Sequence, residues 1–336
     1  NQLDKCDCLY RPRYAVEIDD NIATAISLLN QKGYVTTYCC SGHYKNGVAY
    51  IAFAYMYDFD VPEGWHRSFN GSIHQIDLYD DIKLKELEED NIIIKSECSY
   101  IPLNEDNIVY KAAKLIKEKM DIKKGIEIFI KKNIPVAAGM AGGSSNAAAV
   151  LVGLNELWEL GLSKDELRDL GLKLGADVPF CIEGGTALAE GIGEKLTYIK
   201  GINKDVNILV CKPDIFVSTK EVYQSLDIKN IEKRPDNKLL IEKLKNDDIV
   251  SVSNNMVNVL EEVTSKKYSD IKVIENIIAK NGAMGTMMSG SGPTVFGFFD
   301  NEEKAKRARV ELLENYSQVY VVTSSEKGVE INGQSK

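Results

Sequence analysis

A β-type run from Gly125 to Ile130 leads into a long stretch of small side chains: Ile134-Pro135-Val136-Ala137-Ala138-Gly139-Met140-Ala141-Gly142-Gly143-Ser144-Ser145-Asn146-Ala147-Ala148-Ala149. Strand, glycine-rich turn and apolar helix follow one another without a break. Glycines let the backbone approach a ligand closely, and Ser144 and Ser145 add hydroxyl donors. The start of the helix supplies unpaired N–H groups at the positive end of a dipole. That combination suits a phosphate-bearing ligand. The other reading is a glycine-rich turn that only lets a helix pack closely. Spacing excludes two familiar phosphate loops. Gly143 is followed by Ser-Ser-Asn instead of Lys and Ser/Thr, and no G-x-G-x-x-G occurs.

With 336 residues the chain has room for two or three domains. Its net charge of −9 gives no reason to expect nucleic-acid or membrane-surface binding. An anionic substrate would need local positive features, such as a helix N-terminus or a few lysines. No apolar run approaches a membrane span, and no secretory n-region and h-region precede the first domain. Seven unevenly spaced cysteines do not make a disulfide framework, so a cytoplasmic setting is expected.

Composition shifts near residue 75. All three histidines (His43, His66 and His74) and four cysteines (Cys6, Cys8, Cys39 and Cys40) lie before it. The expected division is a small α/β segment over 1–74, then domains over 75–203 and 204–336. In the first segment, Tyr14–Ile18 reads as a strand, a helix with Ile22, Ile26 and Leu29 on one face ends at Gly33, and Val48–Tyr57 reads as a strand. Beyond it, strands are expected over Ile76–Leu84, Ile126–Ile130, Ala187–Glu190, Leu196–Ile199, Asn207–Lys212, Val295–Phe299 and Gln318–Thr323. Helices are expected over Asn107–Met120, Ser145–Leu160, Lys164–Leu174, Thr219–Gln224, Lys238–Leu244, Met256–Glu262, Asp270–Lys280 and Glu302–Glu314.

Three more stretches bear on chemistry. In Leu174-Gly175-Ala176-Asp177-Val178-Pro179-Phe180, an Asp follows a helix that the Pro stops. Its carboxylate can orient or deprotonate a hydroxyl nucleophile, or it can simply make a turn. The small-residue loop Met288-Ser289-Gly290-Ser291-Gly292-Pro293-Thr294 runs into a strand and can shape a pocket with the first loop, or can be a tight turn. Glu183–Glu194 reads as a hairpin, near the same cleft or on the surface.

In this order these residues resemble the GHMP kinase superfamily, and within it the diphosphocytidyl-methylerythritol branch. The resemblance runs from Gln75 to Gly333. It is carried by Pro135–Asn146, Leu174–Phe180, Pro213–Tyr223 and Ser289–Thr294. It implies an α/β (α+β) fold of two domains, ribosomal-protein-S5-like then ferredoxin-like, preceded by a small segment foreign to the family. It also implies transfer of the γ-phosphoryl group of ATP, with Mg²⁺, to the 2-hydroxyl of 4-diphosphocytidyl-2-C-methyl-D-erythritol in isoprenoid precursor synthesis. Pro135 to Ser145 would wrap the ATP phosphates, Lys132 and Asn107 match positions near the nucleotide, and Asp177 matches the catalytic aspartate. Ser289, Gly290, Ser291 and Gly292 would shape the pocket. The expected partner is the small-molecule cytidyl diphosphate substrate, and the expected assembly a monomer or homodimer.

One element of the resemblance is missing. The family opens on a strand carrying Lys in an Ala-Lys-(Ile/Leu)-Asn-Leu context, and that lysine contacts the catalytic aspartate. The lysines before residue 75 are Lys5, Lys32 and Lys45, all in unrelated contexts. The expectation is a kinase fold with slow turnover or none. The alternative is a catalytically dead kinase body carrying an N-terminal binding module. Cys39, Cys40 and His43 are the candidate zinc ligands of such a module, although their spacing is not that of a standard C-x₂-C pair.

Overall fold

The computed structural model describes residues 78–193, 195–202 and 206–331, together with the backbone of two earlier strands, Thr36–Cys40 (β1) and Tyr50–Phe53 (β2). The chain divides into two compact units, Asn1–Asn70 and Gly71–Lys336. In the first, β1 and β2 pair antiparallel with Cys40 opposite Tyr50. β2 lies within the strand expected over Val48–Tyr57. Cys39 and Cys40 close β1. His43, the Tyr14–Ile18 strand and the helix ending at Gly33 lie outside the described residues.

The second unit opens with Asp81–Leu87 (β3), Ile92–Ser96 (β4), the helix Ile108–Met120 (α1) and Gly125–Lys131 (β5). The sheet order is β3-β5-β4, with β3 antiparallel and β4 parallel to β5. Ile126, Ile128 and Ile130 alternate along β5 and are fully buried. Each contributes about 1.5–3 kcal/mol by leaving water. They join one core with Val109, Ala112, Ala113 and Ile116 of α1, a helical i, i+3, i+4, i+7 stripe.

Gly142–Leu157 (α2) adds Ala147, Ala148, Val150, Leu151 and Leu154 to this core. Lys164–Leu172 (α3) starts on a capping box between Ser163 and Glu166, and Val178–Glu183 (α4) follows. α4 packs against α2 and α3. Thr186–Glu190 (β6) and Lys195–Ile199 (β7) form the expected hairpin.

Asn207–Lys212 (β8) begins the remainder. Five helices follow: Thr219–Ser225 (α5), Asn237–Lys245 (α6), Ile249–Asn255 (α7), Glu261–Lys267 (α8) and Asp270–Lys280 (α9). Gly285–Met288 (β9), Val295–Phe299 (β10), Glu302–Leu313 (α10) and Gln318–Val322 (β11) complete it. The sheet is antiparallel throughout, in the order β11-β8-β10-β9. With α9 and α10 between the strand pairs, this is the ferredoxin-like pattern. Ile271, Ile274 and Ile278 of α9 and Ala305, Ala308 and Leu312 of α10 bury against it in a second core.

Several expected boundaries move. Of the strand expected over Ile76–Leu84, Ile76 and Asp77 lie outside the described residues and β3 begins at Asp81; just before it, the Asp80 carboxylate accepts from the backbone at 133 and 134. Pro179 does not end a helix: α3 stops at Leu172, and Pro179 sits in the first turn of α4, where a missing N–H costs nothing. The helix expected over Met256–Glu262 is absent. α7 ends at Asn255 and α8 begins at Glu261, while Asn258 between them accepts from Leu260 N (3.0 Å) as a local cap.

Cys98 is half-buried, whereas Cys181 and Cys211 are buried, and all three are free thiols. Burial, with nearby carboxylates adding to it, pushes the thiols of Cys181 and Cys211 up to about 12. Iodoacetamide at pH 8 is therefore expected to alkylate Cys98 well before either of them, since the thiolate is the nucleophile. Peptide mass mapping of the native protein checks this order. No helix among the described residues is long and apolar enough to cross a membrane.

Candidate active site

The loop between β5 and α2 has an unusual backbone. Ala137 (φ 53°), Gly139 (φ 69°) and Ala141 (φ 51°) are all left-handed at alternate positions. For alanine that region costs on the order of 1 kcal/mol, and such residues gather where a backbone is shaped around a ligand. Left-handed residues alternating along a loop curl successive N–H groups into a concave anion-binding surface. Ala141 is the N-cap of α2 and offers no side-chain cap.

Ser145 N donates to Ala141 O (2.9 Å), which is the first intrahelical bond. The N–H groups of Gly142, Gly143 and Ser144 have no partner among the described residues. No acidic side chain lies in the first turn of α2. α2 thus begins three residues earlier than expected, and takes both glycines into its opening turn.

Lys132, at the head of the loop, faces this helix start. A Cβ placed on Gly142 would lie 3.1 Å from Lys132 Nζ. Asn107 caps α1: its Oδ1 accepts from Val109 N (3.1 Å) and its Nδ2 donates to Pro102 O (2.6 Å). The next residue, Ile108, lies 3.8 Å from the Cβ position of Gly143, so the starts of α1 and α2 adjoin.

The second small-residue loop lies directly on the first. Ser289 Oγ donates to Gly139 O (2.9 Å), and a Cβ on Gly139 would meet Ser289 O at 2.5 Å. The loop is a tight turn closed by Gly292 N donating to Ser289 O (2.8 Å). It is held from behind at several points. Asn258 Nδ2 donates to Met288 O (2.8 Å) and Gly290 O (2.7 Å), and Glu261 accepts from Met288 N (3.0 Å). Thr264 Oγ1 donates to Ser291 O (3.1 Å), and the hydroxyls of Ser291 and Thr219 are 2.8 Å apart. Thr219 belongs to the Pro213–Tyr223 stretch, so three of the four motif stretches converge here.

The fourth lies at the start of α4. Asp177 is exposed and its carboxylate makes no capping bond. It therefore does not serve as the cap that a purely structural reading would assign to it. The β6–β7 turn touches its neighbour, with the Cβ position of Gly193 lying 3.4 Å from Ala176 Cβ. Among the described residues, no three His, Cys, Asp or Glu side chains cluster to hold a metal.

Sequence reasoning missed Asp80, Asn258, Glu261 and Thr264. For two of them a signal existed. Asn258-Val259-Leu260-Glu261 has the Asx-x-x-Glu spacing of a helix start, and reading it so moves the expected helix to within two residues of the start of α8 at Glu261.

The family model described as the GHMP kinases N terminal domain matches residues 107–185, and that described as GHMP kinases C terminal matches 240–318. A 4-diphosphocytidyl-2-C-methyl-D-erythritol kinase of Clostridioides difficile is 68% identical over 259 residues, which is 77% of this chain and 88% of the relative. The chain belongs to the 4-diphosphocytidyl-2-C-methyl-D-erythritol kinase family of the GHMP kinases. The Alkaliphilus oremlandii member of this kinase family is 52% identical over 269 residues, 80% of this chain and 92% of that relative. A crystal structure of 4-(cytidine 5'-diphospho)-2C-methyl-D-erythritol kinase superimposes with a TM-score of 0.61 at 27% identity, covering 74% of this chain and 87% of that one. Within the GHMP kinase frame, the first family match contains the loop, the start of α2 and Asp177. The second contains Asn258, Glu261 and the loop over 289–292.

Proposed function

We propose that this chain binds ATP at the β5–α2 loop and is built to phosphorylate the 2-hydroxyl of 4-diphosphocytidyl-2-C-methyl-D-erythritol, with the chemical step slowed by the loss of one cation. The observation that carries the binding half is the set of three unpartnered amides at the start of α2, faced by Lys132 and buttressed by the second loop. Amides and an ammonium around a small-residue cradle match a polyphosphate. Mg²⁺ would enter with the nucleotide, because it keeps most of its waters and needs one or two carboxylates at most. Asp177 is the free carboxylate for the chemistry. It would take the proton of the 2-hydroxyl as that oxygen bonds to the γ-phosphorus and the bond to the β-phosphate oxygen breaks, releasing ADP. The rate in such a transfer comes mainly from alignment and charge neutralisation. The lysine that family resemblance puts beside this aspartate has no counterpart among Lys5, Lys32 and Lys45.

The identity of the acceptor comes from the relatives' names together with the shared motifs. A coupled ADP-release assay with the cytidyl substrate, run beside a nucleotide thermal shift, tests the proposal. Stabilisation by ATP with slow, substrate-dependent ADP release supports it. No response to ATP, combined with stoichiometric zinc by metal analysis, would favour a binding module on an inert kinase body. The Ser289→Ala variant removes one neutral hydrogen bond between the loops, worth about 1 kcal/mol. ATP affinity is expected to fall by about fivefold, as read by calorimetry.

A further inference from the structure

We propose that Asp80 is a positioning residue for the polyphosphate site, acting through Lys132 and through the backbone that leads into the loop. The proposal rests on the reading of that loop as the ATP site. Asp80 directly precedes β3, and its side chain is 2% exposed. Oδ2 takes the ammonium of Lys132, whose side chain is 6% exposed. Oδ1 accepts from Asn133 N (2.8 Å) and Ile134 N (2.9 Å). The Asn133 side chain donates from Nδ2 back to Tyr79 O (2.7 Å). One carboxylate therefore fixes both the cation and the first turn of the glycine-rich loop.

Stability alone is a poor account of this pair. Two charges held almost out of water lose hydration that their attraction often fails to recover, and an apolar pair would serve as well. The placement of Lys132 is also electrostatically awkward. Its ammonium lies against Gly142, at the positive end of a 16-residue helix with no acid in its first turn. A cation and a helix N-terminus repel each other until an anion lies between them. Asp80 supplies the opposite charge that keeps Lys132 in place against this repulsion, and its two oxygens are committed to Lys132, Asn133 and Ile134 rather than to the amides at the start of α2. The cation is thereby pre-positioned before the phosphates arrive, so less ordering remains to be done on binding.

The test uses the full chain and calorimetry with ATP, and with adenosine as the phosphate-free control. Asp80→Asn keeps the shape and one acceptor but removes the charge. It is expected to weaken ATP about tenfold while leaving adenosine within about twofold, because only the phosphates meet Lys132. Lys132→Met should show the same discrimination. The double variant should lose no more than the worse single variant, since both act through one ammonium. If Asp80→Asn does not fold, the double variant, which removes both charges, carries the ATP-against-adenosine comparison. Equal losses of ATP and adenosine, unchanged ATP affinity in Asp80→Asn, or additive losses would overturn the proposal. A wild-type chain that ignores ATP overturns the nucleotide reading itself, a result separate from wild-type binding that survives Asp80→Asn.

Discussion

Gly139→Ala is expected to reduce ATP affinity by at least about 100-fold while the isolated cores remain folded. A left-handed φ is not the reason. Gly139 has a φ of 69°, but Ala137 and Ala141 already occupy that region at 53° and 51°. Alanine at 139 would therefore add on the order of 1 kcal/mol from the backbone alone. The decisive term is the contact. A Cβ at this position would lie 2.5 Å from Ser289 O and 3.0 Å from Gly292 O, both main-chain atoms of a loop pinned by Asn258, Glu261 and Thr264. A flexible side chain could swing away, but this loop cannot move without breaking several of those bonds. The phosphate loop itself must shift, and with it the amides at the head of α2. Calorimetry with ATP and thermal unfolding without it check the result together. Binding by the variant within about threefold of wild type would show that the loops do not need their present spacing.

The second large effect concerns turnover. Beside the Clostridioides difficile relative in the same ADP-release assay, this chain is expected to turn over at least about 100-fold more slowly at saturating ATP, with ATP stabilisation of ordinary size. The sharper form is a comparison of variants. In an enzyme whose lysine and aspartate work as a unit, replacing the aspartate costs about a thousandfold or more. Members of such a unit are not additive, so once the lysine is gone little remains for the aspartate to lose. Asp177→Asn is therefore expected to lower the residual rate of this chain by less than about tenfold. A turnover matching the relative's would dispose of the impairment, and a thousandfold loss in Asp177→Asn would show that Asp177 keeps its full catalytic effect without that lysine.

Local chemistry made much of this architecture readable. α9 and β10 fall where periodicity puts them, and α1 starts at the Asn107 cap. The ferredoxin-like half follows from strands and helices whose order alone restricts the topology. What was illegible depends on partners far apart in sequence. Asp80 and Lys132 are 52 residues apart, and Ser289 reaches Gly139 across 150. No window of residues contains either pair. β4 and β9 do not stand out because neither alternates clearly: β4 opens on the unbroken apolar run Ile92-Ile93-Ile94, and β9 is four residues beginning on a glycine. Pro179 misled because proline closes one helix and opens another equally well, and only the six residues after Asp177 decide between the two.

The two buried clusters are built from separate stretches, residues 94–182 and 209–319. The interlocked loops draw one partner from each stretch, and a nucleotide resting on them is a ligand common to both. Its binding free energy counts against the opening of either one, by mass action. At saturating nucleotide, the temperature at which both clusters give way should therefore rise.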